Sequence, residues 1–299
     1  MTRNGTHHWC ARHAGMLRAL ELAVVLFVNL LGGCQGQPPP QAGSVQLKGS
    51  ETLRPLLMMC AEDFMARHPH IDVMVQGGGS GTGIAALLHG TVDIAMASRE
   101  LSDKEQQYAA RQGLAVRAFD VALDGITVVV HADNPVEVLT LAQLRGMFTG
   151  SLQNWHDVGS APQAITVLSR LPGSGTAELF HQRVLGGADY SGMVQQMPTN
   201  EAIVTAVASQ PWAIGYTGFG AVRVARDRVK LVPLQASPYA SPVSPTPETI
   251  RAQSYPLARL LHVYTATEPT GMVKEFIDFC RSPRGQELVQ KAGYLAVEP

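Results

Sequence analysis

Three short segments rich in glycine, serine and threonine each precede a run of residues with helical spacing. They are Gly49-Ser50-Glu51-Thr52, Gly79-Ser80-Gly81-Thr82-Gly83 and Gly173-Ser174-Gly175-Thr176. A helix N-terminus carries unpaired backbone N–H groups and about half a positive charge, and glycine lets a ligand approach that backbone closely. A single segment of this kind is more often a helix cap than a ligand site. Three of them, two with Arg99 or Arg170 nearby, predict a site for a small tetrahedral anion.

The overall charge indicates that any anion binding must be local. The chain has 299 residues, 23 Lys and Arg against 24 Asp and Glu, and a formal net charge of -1. This balance gives no electrostatic reason to expect nucleic acid as a partner. No His or Cys spacing indicates a metal site, and no cofactor is expected. Ser80 and Ser174 lack the Gly-x-Ser-x-Gly elbow of a hydrolase, so an enzyme is only a remote alternative.

The beginning of the chain predicts export. Residues 22–31 (LAVVLFVNLL) match the apolar region of a signal peptide in length and are too short to span a bilayer. They lead into Gly32-Gly33-Cys34, which resembles the lipobox of bacterial lipoproteins. We therefore expect residues 1–33 to be a lipoprotein-type signal peptide and Cys34 to be the lipidated first residue of the mature protein. Residues 34–43 then form a flexible tether.

The start of translation and the state of two cysteines in the folded part are left open. Translation could begin at Met1 or at Met16, since the residues between them are unusual for a signal peptide. Cys60 and Cys280 both lie on apolar helical faces. Export permits a disulfide between them, but two buried free thiols are at least as consistent with the pattern.

Strand-like and helix-like segments alternate along the chain after the tether. Each glycine segment stands between a strand and a helix, which is typical of an α/β fold with a largely parallel sheet. Residues 125–131 form the longest β-branched run and predict a buried strand. Two glycine segments precede this strand and one follows it, so a shared ligand would lie between two lobes. We expect one lobe from residues 44–124 with 257–299, and a second from residues 125–256.

The order and spacing of several motifs resemble one known family. The motifs are Gly79–Gly83 followed by Gly90–Arg99, Asn154-Trp155, Arg170 with Gly173–Thr176, Tyr255-Pro256-Leu257 and Gly285-Gln286. Together they resemble the phosphate-binding lipoproteins of high-affinity phosphate ABC transporters, from about residue 45 to 294. The resemblance implies an α/β, two-lobed class II periplasmic-binding-protein fold, in which each lobe is a mostly parallel sheet flanked by helices.

The resemblance also implies a set of phosphate-binding residues contributed by both lobes. Thr52, Leu53 and Ser80 would donate hydrogen bonds from the first lobe, and Arg170, Ser174, Gly175 and Thr176 from the second. Ser50 and Ser98 are further hydroxyl candidates next to these positions. An arginine can bind two oxygens of the anion, while the N–H groups at a helix N-terminus bind others.

One position departs from the best-known phosphate binders. Where those proteins have an aspartate after the serine of the strand-to-loop segment, this chain has Arg99. The aspartate accepts a hydrogen bond from protonated phosphate and rejects sulfate, whereas an arginine can only donate. Arg99 either contacts the anion or pairs with Glu100 or Glu105. Glu51 and Asp124 are the candidate replacement acceptors, and we prefer Asp124.

The sequence therefore predicts a non-enzymatic, extracytoplasmic solute-binding lipoprotein. It would capture inorganic phosphate in the cleft between its lobes and deliver it to an ABC-type phosphate permease, as a monomer. Its lipid anchor at Cys34 would hold it on a bacterial membrane, facing the periplasm or the cell exterior. Two alternatives remain: a binder of another tetrahedral oxyanion, such as sulfate, molybdate or tungstate, or a phosphate sensor.

Overall fold

One mixed β-sheet connects most strands of the computed structural model, which describes residues 43–297. These residues belong to a single compact unit. The predicted signal peptide and Cys34 lie outside the described residues. The strands are β1 (Gly43–Gly49), β2 (Ile71–Gly78), β3 (Ile94–Ala97), β4 (Arg117–His131), β5 (Leu139–Thr140), β6 (Thr166–Arg170), β7 (Gln195–Met197), β8 (Ala213–Gly218), β9 (Val229–Leu231), β10 (Leu234–Gln235) and β11 (Ala258–Thr265).

The strand order shows how two lobes share this sheet. The order is β2-β1-β3-β11-β4-β8-β6-β7, with β9 also paired to β4. In the first lobe, β1 is parallel to β2 and to β3. In the second lobe, β6 is parallel to β7 and to β8. The parallel pairs follow the predicted alternation, whereas β4 and β11 run antiparallel to their neighbours.

Strand β4 crosses between the lobes and is longer than the sequence predicted. Its first part, to Gly125, pairs with β11, and residues 126–130 pair with β8. The predicted strand, 125–131, is only the second part. Residues 117–120 are half-buried or exposed, so they lack the apolar run that marks the second part. The predicted lobe boundaries, 44–124 with 257–299 and 125–256, stay a prediction.

Helices flank the sheet, and several of them begin at a side-chain cap. Ser102 and Glu105, for example, form a capping box. The α-helices are α1 (Arg54–Arg67), α2 (Ser80–Leu88), α3 (Asp103–Arg111), α4 (Leu141–Thr149), α5 (Gly175–Arg183), α6 (Asn200–Val207), α7 (Pro247–Arg251), α8 (Gly271–Arg281) and α9 (Pro283–Lys291). Short 3-10 helices cover Trp155–Val158 and Phe219–Ala225.

Separate apolar cores hold the two lobes. Phe64 of α1 and Phe276 of α8 are buried in the first-lobe core with residues of β1 and β3. Phe180 of α5 stacks on Tyr216 of β8 in the second-lobe core, with a centroid distance of 3.9 Å. Burial of such side chains is the dominant stabilising contribution. Each lobe can therefore hold its own loops in place.

The first-lobe core also contains both cysteines of the described residues. Cys60 of α1 and Cys280 of α8 are buried there as free cysteines. Burial and the neighbouring Cys60 raise the pKa of the Cys280 thiol. Among residues 43–297, no helix combines the length and apolar character needed to cross a bilayer.

Candidate functional site

The three glycine-rich segments meet in the structure, although they are far apart in the chain. The Gly79 N–H donates to the carbonyl oxygen of Gly49 at 2.8 Å, which joins the first segment to the second. The Gly81 N–H donates to the carbonyl oxygen of Gly173 at 3.2 Å, which joins the second segment to the third. The last of these contacts connects the two lobes. The predicted convergence of the segments is therefore present.

Close approach of the two lobes depends on glycine at two positions. Gly79 has φ of +93°, and a Cβ there would lie 2.5 Å from the carbonyl oxygen of Gly173. A Cβ at Gly175 would lie 2.3 Å from Ser80 Oγ and 2.7 Å from Ser98 Oγ. Both positions exclude a side chain because the opposite segment already occupies the space. The backbone at the start of α5 thus lies against hydroxyl groups of the first lobe.

A group of buried polar side chains surrounds this contact, and we call it the cradle. Its members come from both lobes and each is at most 6% exposed. They are Ser50, Thr52, Ser80, Ser98, Arg170, Ser174, Thr176 and Asn200. All except Asn200 belong to the residues proposed from the sequence.

Hydrogen bonds connect the cradle across the lobes. Thr52 Oγ1 lies 3.1 Å from Thr176 Oγ1, and Asn200 Nδ2 donates to Thr52 Oγ1 at 3.0 Å. Within the first lobe, Ser80 Oγ lies 3.3 Å from Ser98 Oγ and accepts from the Ser98 N–H at 3.0 Å. Because hydroxyl protons rotate, each of these groups can instead donate to an anion.

Two of the predicted residues already make hydrogen bonds within their own segments. The Leu53 N–H donates to Ser50 Oγ at 3.3 Å. Ser174 Oγ accepts from the Ala177 N–H at 3.4 Å and so caps α5. Leu53 is fully buried. The structure therefore brings these residues to the cradle, and their contact with a ligand stays a prediction.

Arg170 is a buried cation without an acidic partner. It is 3% exposed, donates from Nη2 to the carbonyl oxygen of Pro198 at 2.9 Å, and donates from Nη1 to Asn200 Oδ1. Both acceptors are neutral. Its Nε has no hydrogen-bond partner among the described residues, which form no ion pair with it either. Burial lowers the pKa of Arg170, since it disfavours the charged guanidinium. A buried cation of this kind needs an anion.

A second buried arginine, Arg259, was missed by sequence reasoning. Its Nη2 and Nε donate to Asp124 Oδ2 at 2.7 and 3.0 Å, and its Nη1 donates to Ser98 O at 3.1 Å and Thr176 Oγ1 at 3.0 Å. Asp124 Oδ1 accepts from the Phe219 N–H at 2.9 Å. Asp124 thus lies at the junction of β4 and β11, next to the cradle, with both oxygens in use. The signal that could have identified Arg259 is its position as a charged residue in the mostly apolar strand β11.

Asn200 was also missed, and the sequence offers no clear signal for it. It is the first residue of α6 and is 1% exposed. Its amide connects Thr52 of one lobe to Arg170 of the other. An asparagine near a helix start is ordinarily read as a local cap, and only the fold shows this longer reach.

The structure places Arg99 and Glu51 in other contacts. The Arg99 guanidinium donates to both carboxylate oxygens of Glu105, at 2.7 and 2.8 Å, and also contacts Glu178. Glu51 accepts from Arg54 Nε at 2.8 Å and from the Gly78 N–H at 2.7 Å. Of the partners considered for Arg99 from the sequence, Glu105 forms an ion pair with it in the structure. Direct contact of Arg99 or Glu51 with an anion stays a prediction.

Comparisons with known proteins agree with this architecture. The sequence matches the family model described as PBP superfamily domain over residues 35–284. The chain therefore belongs to the PBP superfamily. It is 31% identical over 260 residues to the Bacillus subtilis protein named phosphate-binding protein PstS. The aligned region covers 86% of this chain and 81% of that protein.

Two solved structures show the same fold. One is a Clostridium perfringens protein described as a substrate-binding protein of a phosphate ABC transporter, with bound phosphate. It has a TM-score of 0.75 and 31% identity, over 85% of this chain and 100% of that one. The other, an ABC-type phosphate transport receptor from Vibrio cholerae, has a TM-score of 0.71 and 30% identity, with the same coverage. The predicted two-lobed α/β periplasmic-binding-protein fold is confirmed.

Proposed function

We propose that this protein binds inorganic phosphate in the cradle and delivers it to an ABC-type phosphate permease. The observation that carries the proposal is Arg170, a buried guanidinium with neutral partners and an unpartnered Nε. A tetrahedral anion next to it supplies the missing negative charge and the missing acceptor. Binding therefore removes an unfavourable feature of the unliganded closed form.

The other groups of the cradle fit the same ligand. The start of α5 offers backbone N–H groups beside Ser174 and Thr176, and its dipole favours an anion. Thr52 and Ser80 add hydroxyl donors from the opposite lobe. Donors arriving from two sides suit a tetrahedral ion, whose oxygens point in four directions. The names of the relatives from Bacillus subtilis and Vibrio cholerae support phosphate as that ion.

Discrimination between phosphate and sulfate is assigned to Asp124. Protonated phosphate has a hydrogen to donate and sulfate does not, so a carboxylate acceptor near the anion favours phosphate. Asp124 is buried beside Thr176 through their shared partner Arg259. Each carboxylate oxygen has two lone pairs, so the bonds to Arg259 and Phe219 leave acceptor capacity.

The cellular setting follows from the same proposal. Closure of two lobes around an anion needs no covalent chemistry, so the protein acts as a binding protein and not as an enzyme. Delivery requires the permease as a partner and an extracytoplasmic position. The signal peptide and Cys34 would supply export and a lipid anchor, with residues 35–43 as the tether.

Titration calorimetry with phosphate, sulfate and molybdate tests the ligand. We expect phosphate to bind most tightly. Preferred binding of sulfate or molybdate would overturn phosphate as the ligand, and no binding of any of them would overturn the function. Asp124→Asn should weaken phosphate binding without weakening sulfate binding. The control is Asp278→Asn, which removes an exposed carboxylate whose one ion-pair partner among residues 43–297 is Lys274. Unchanged phosphate affinity in Asp124→Asn would refute the role of Asp124.

A further inference from the structure

Arg99 and Glu178 form an ion pair between the two lobes. Arg99 follows β3 and is 6% exposed, whereas Glu178 lies in the first turn of α5 and is 33% exposed. Arg99 Nε donates to Glu178 Oε2. Residues of β3 pack in apolar clusters of the first lobe, and neighbours of Glu178 on α5 pack in the second-lobe core. We call this contact the cross-cleft ion pair.

The first lobe alone fixes the orientation of Arg99. Both Nη groups bind Glu105, and Nη1 also donates to the carbonyl oxygen of Glu100 at 2.8 Å. Glu105 is itself held by Ser102, whose N–H and hydroxyl donate to Oε2 at 2.7 and 2.9 Å. Because the side chain is already ordered, contact with Glu178 costs little further entropy. Nε is the donor that contacts the other lobe.

Glu178 contributes its contact only when the lobes are together. Arg99 is the one hydrogen-bond and ion-pair partner of its carboxylate among the described residues. Its Oε1 would lie 3.4 Å from a Cβ built on Gly81, beside the Gly81–Gly173 hydrogen bond between the lobes. The carboxylate therefore lies over the line where the lobes meet, outside the cradle.

We propose that the cross-cleft ion pair sets the affinity for the anion by stabilising the closed form, without touching the ligand. The pair exists in the closed form and is broken when the lobes separate. A ligand that binds the closed form is held more tightly by any contact that favours closure. This inference rests on the proposed function, in that it assumes an anion held between the lobes. Arg99 and Glu178 thus act as positioning residues.

The proposal differs in sign from a purely electrostatic expectation. Glu178 is a negative charge on the helix that presents its N-terminus to the anion. Coulomb repulsion alone predicts that removing this charge tightens anion binding. Loss of a closing contact predicts the opposite, that binding weakens. The two explanations are therefore separated by the direction of one measured change.

Glu178→Gln is the test, with phosphate affinity measured by calorimetry and dissociation measured by stopped flow. We expect the affinity to fall about fivefold, within the usual range for coupling between conformation and binding. The change should appear as faster dissociation with an unchanged association rate, because the pair forms after the ligand is captured. Arg99→Gln combined with Glu178→Gln should cost less than the sum of the single changes.

The control is Glu287→Gln, which also neutralises a glutamate but breaks an ion pair with Arg284 inside the first lobe. We expect it to leave affinity and dissociation unchanged. An affinity that is unchanged or higher in Glu178→Gln would overturn the proposal. If the unaltered protein binds no oxyanion, the proposed function fails, and small-angle scattering still tests the pair. Unliganded Glu178→Gln should then show a larger radius of gyration than the unaltered protein, and equal radii would refute the ion pair's role.

Discussion

Replacing Gly175 with alanine should prevent the lobes from closing while leaving each lobe folded. An added Cβ would lie 2.3 Å from Ser80 Oγ and 2.7 Å from Ser98 Oγ, both on the opposite lobe. The shorter distance is about 1 Å below ordinary contact. Gly175 is the first residue of α5 and does not have a positive φ, so its backbone accepts alanine without strain. The conflict therefore arises only when the lobes meet.

The structure gives a magnitude for this effect. Parting the lobes by about 1 Å would lengthen the 3.1 Å contact between Thr52 and Thr176 beyond hydrogen-bond distance. Overpacking costs about 1–3 kcal/mol, and a lost hydrogen bond adds about 1 kcal/mol. A total of about 2–4 kcal/mol corresponds to an affinity for phosphate weakened about 30-fold to 700-fold.

Two measurements together check the reasoning. Calorimetry gives the loss of affinity, and thermal unfolding without ligand should show a nearly unchanged Tm. Gly192→Ala is the matched control, because it has no positive φ and nothing lies within 4 Å of its added Cβ. An affinity for phosphate within threefold of the unaltered protein would refute the argument. So would a large fall in the unliganded Tm, since the conflict would then lie within one lobe.

Two further predictions concern charged side chains. Arg170→Lys should weaken phosphate binding about tenfold to hundredfold in calorimetry, because an ammonium cannot reach Asn200, Pro198 and the anion together; an unchanged affinity would contradict the role of its guanidinium. Burial raises the pKa of Glu105, but hydrogen bonds from Arg99 and Ser102 outweigh it and hold the pKa below its ordinary value of 4.5. The resulting stability is present above pH 4.5 and is lost as the pH falls through the lowered pKa, so Glu105→Gln should show a smaller drop in Tm below pH 4.5. An equal drop in both proteins would contradict this assignment.

The local parts of the site could be predicted from the sequence because their signals are local. Glycine, serine and threonine at a helix start specify both the backbone conformation and the free N–H groups. The three segments, the residues of the cradle contributed by them, and Arg170 were all found in this way. Their meeting between two lobes also followed, because the long strand at 125–131 separates the third segment from the other two.

The parts that depend on strand pairing could not be predicted from local signals. Arg259 and Asp124 face each other because β11 pairs antiparallel with β4 in a particular register. They are 135 positions apart in the chain. Asn200 is also far in the chain from its partner Thr52, 148 positions away, and the fold alone brings the two together. A sequence pattern identifies such residues as unusual but does not identify their partners.

The buried arginines explain how Arg99 is compatible with the proposed anion site, at a position where the best-known phosphate binders have an aspartate. Arg99 contacts the carboxylates of Glu105 and Glu178, and Arg259 contacts that of Asp124. Both cations are therefore neutralised by the protein itself. Arg170 alone of the three lacks a carboxylate partner within residues 43–297. The additional positive charge at position 99 thus brings its own counter-ions, and the charge left for the ligand to balance is that of Arg170.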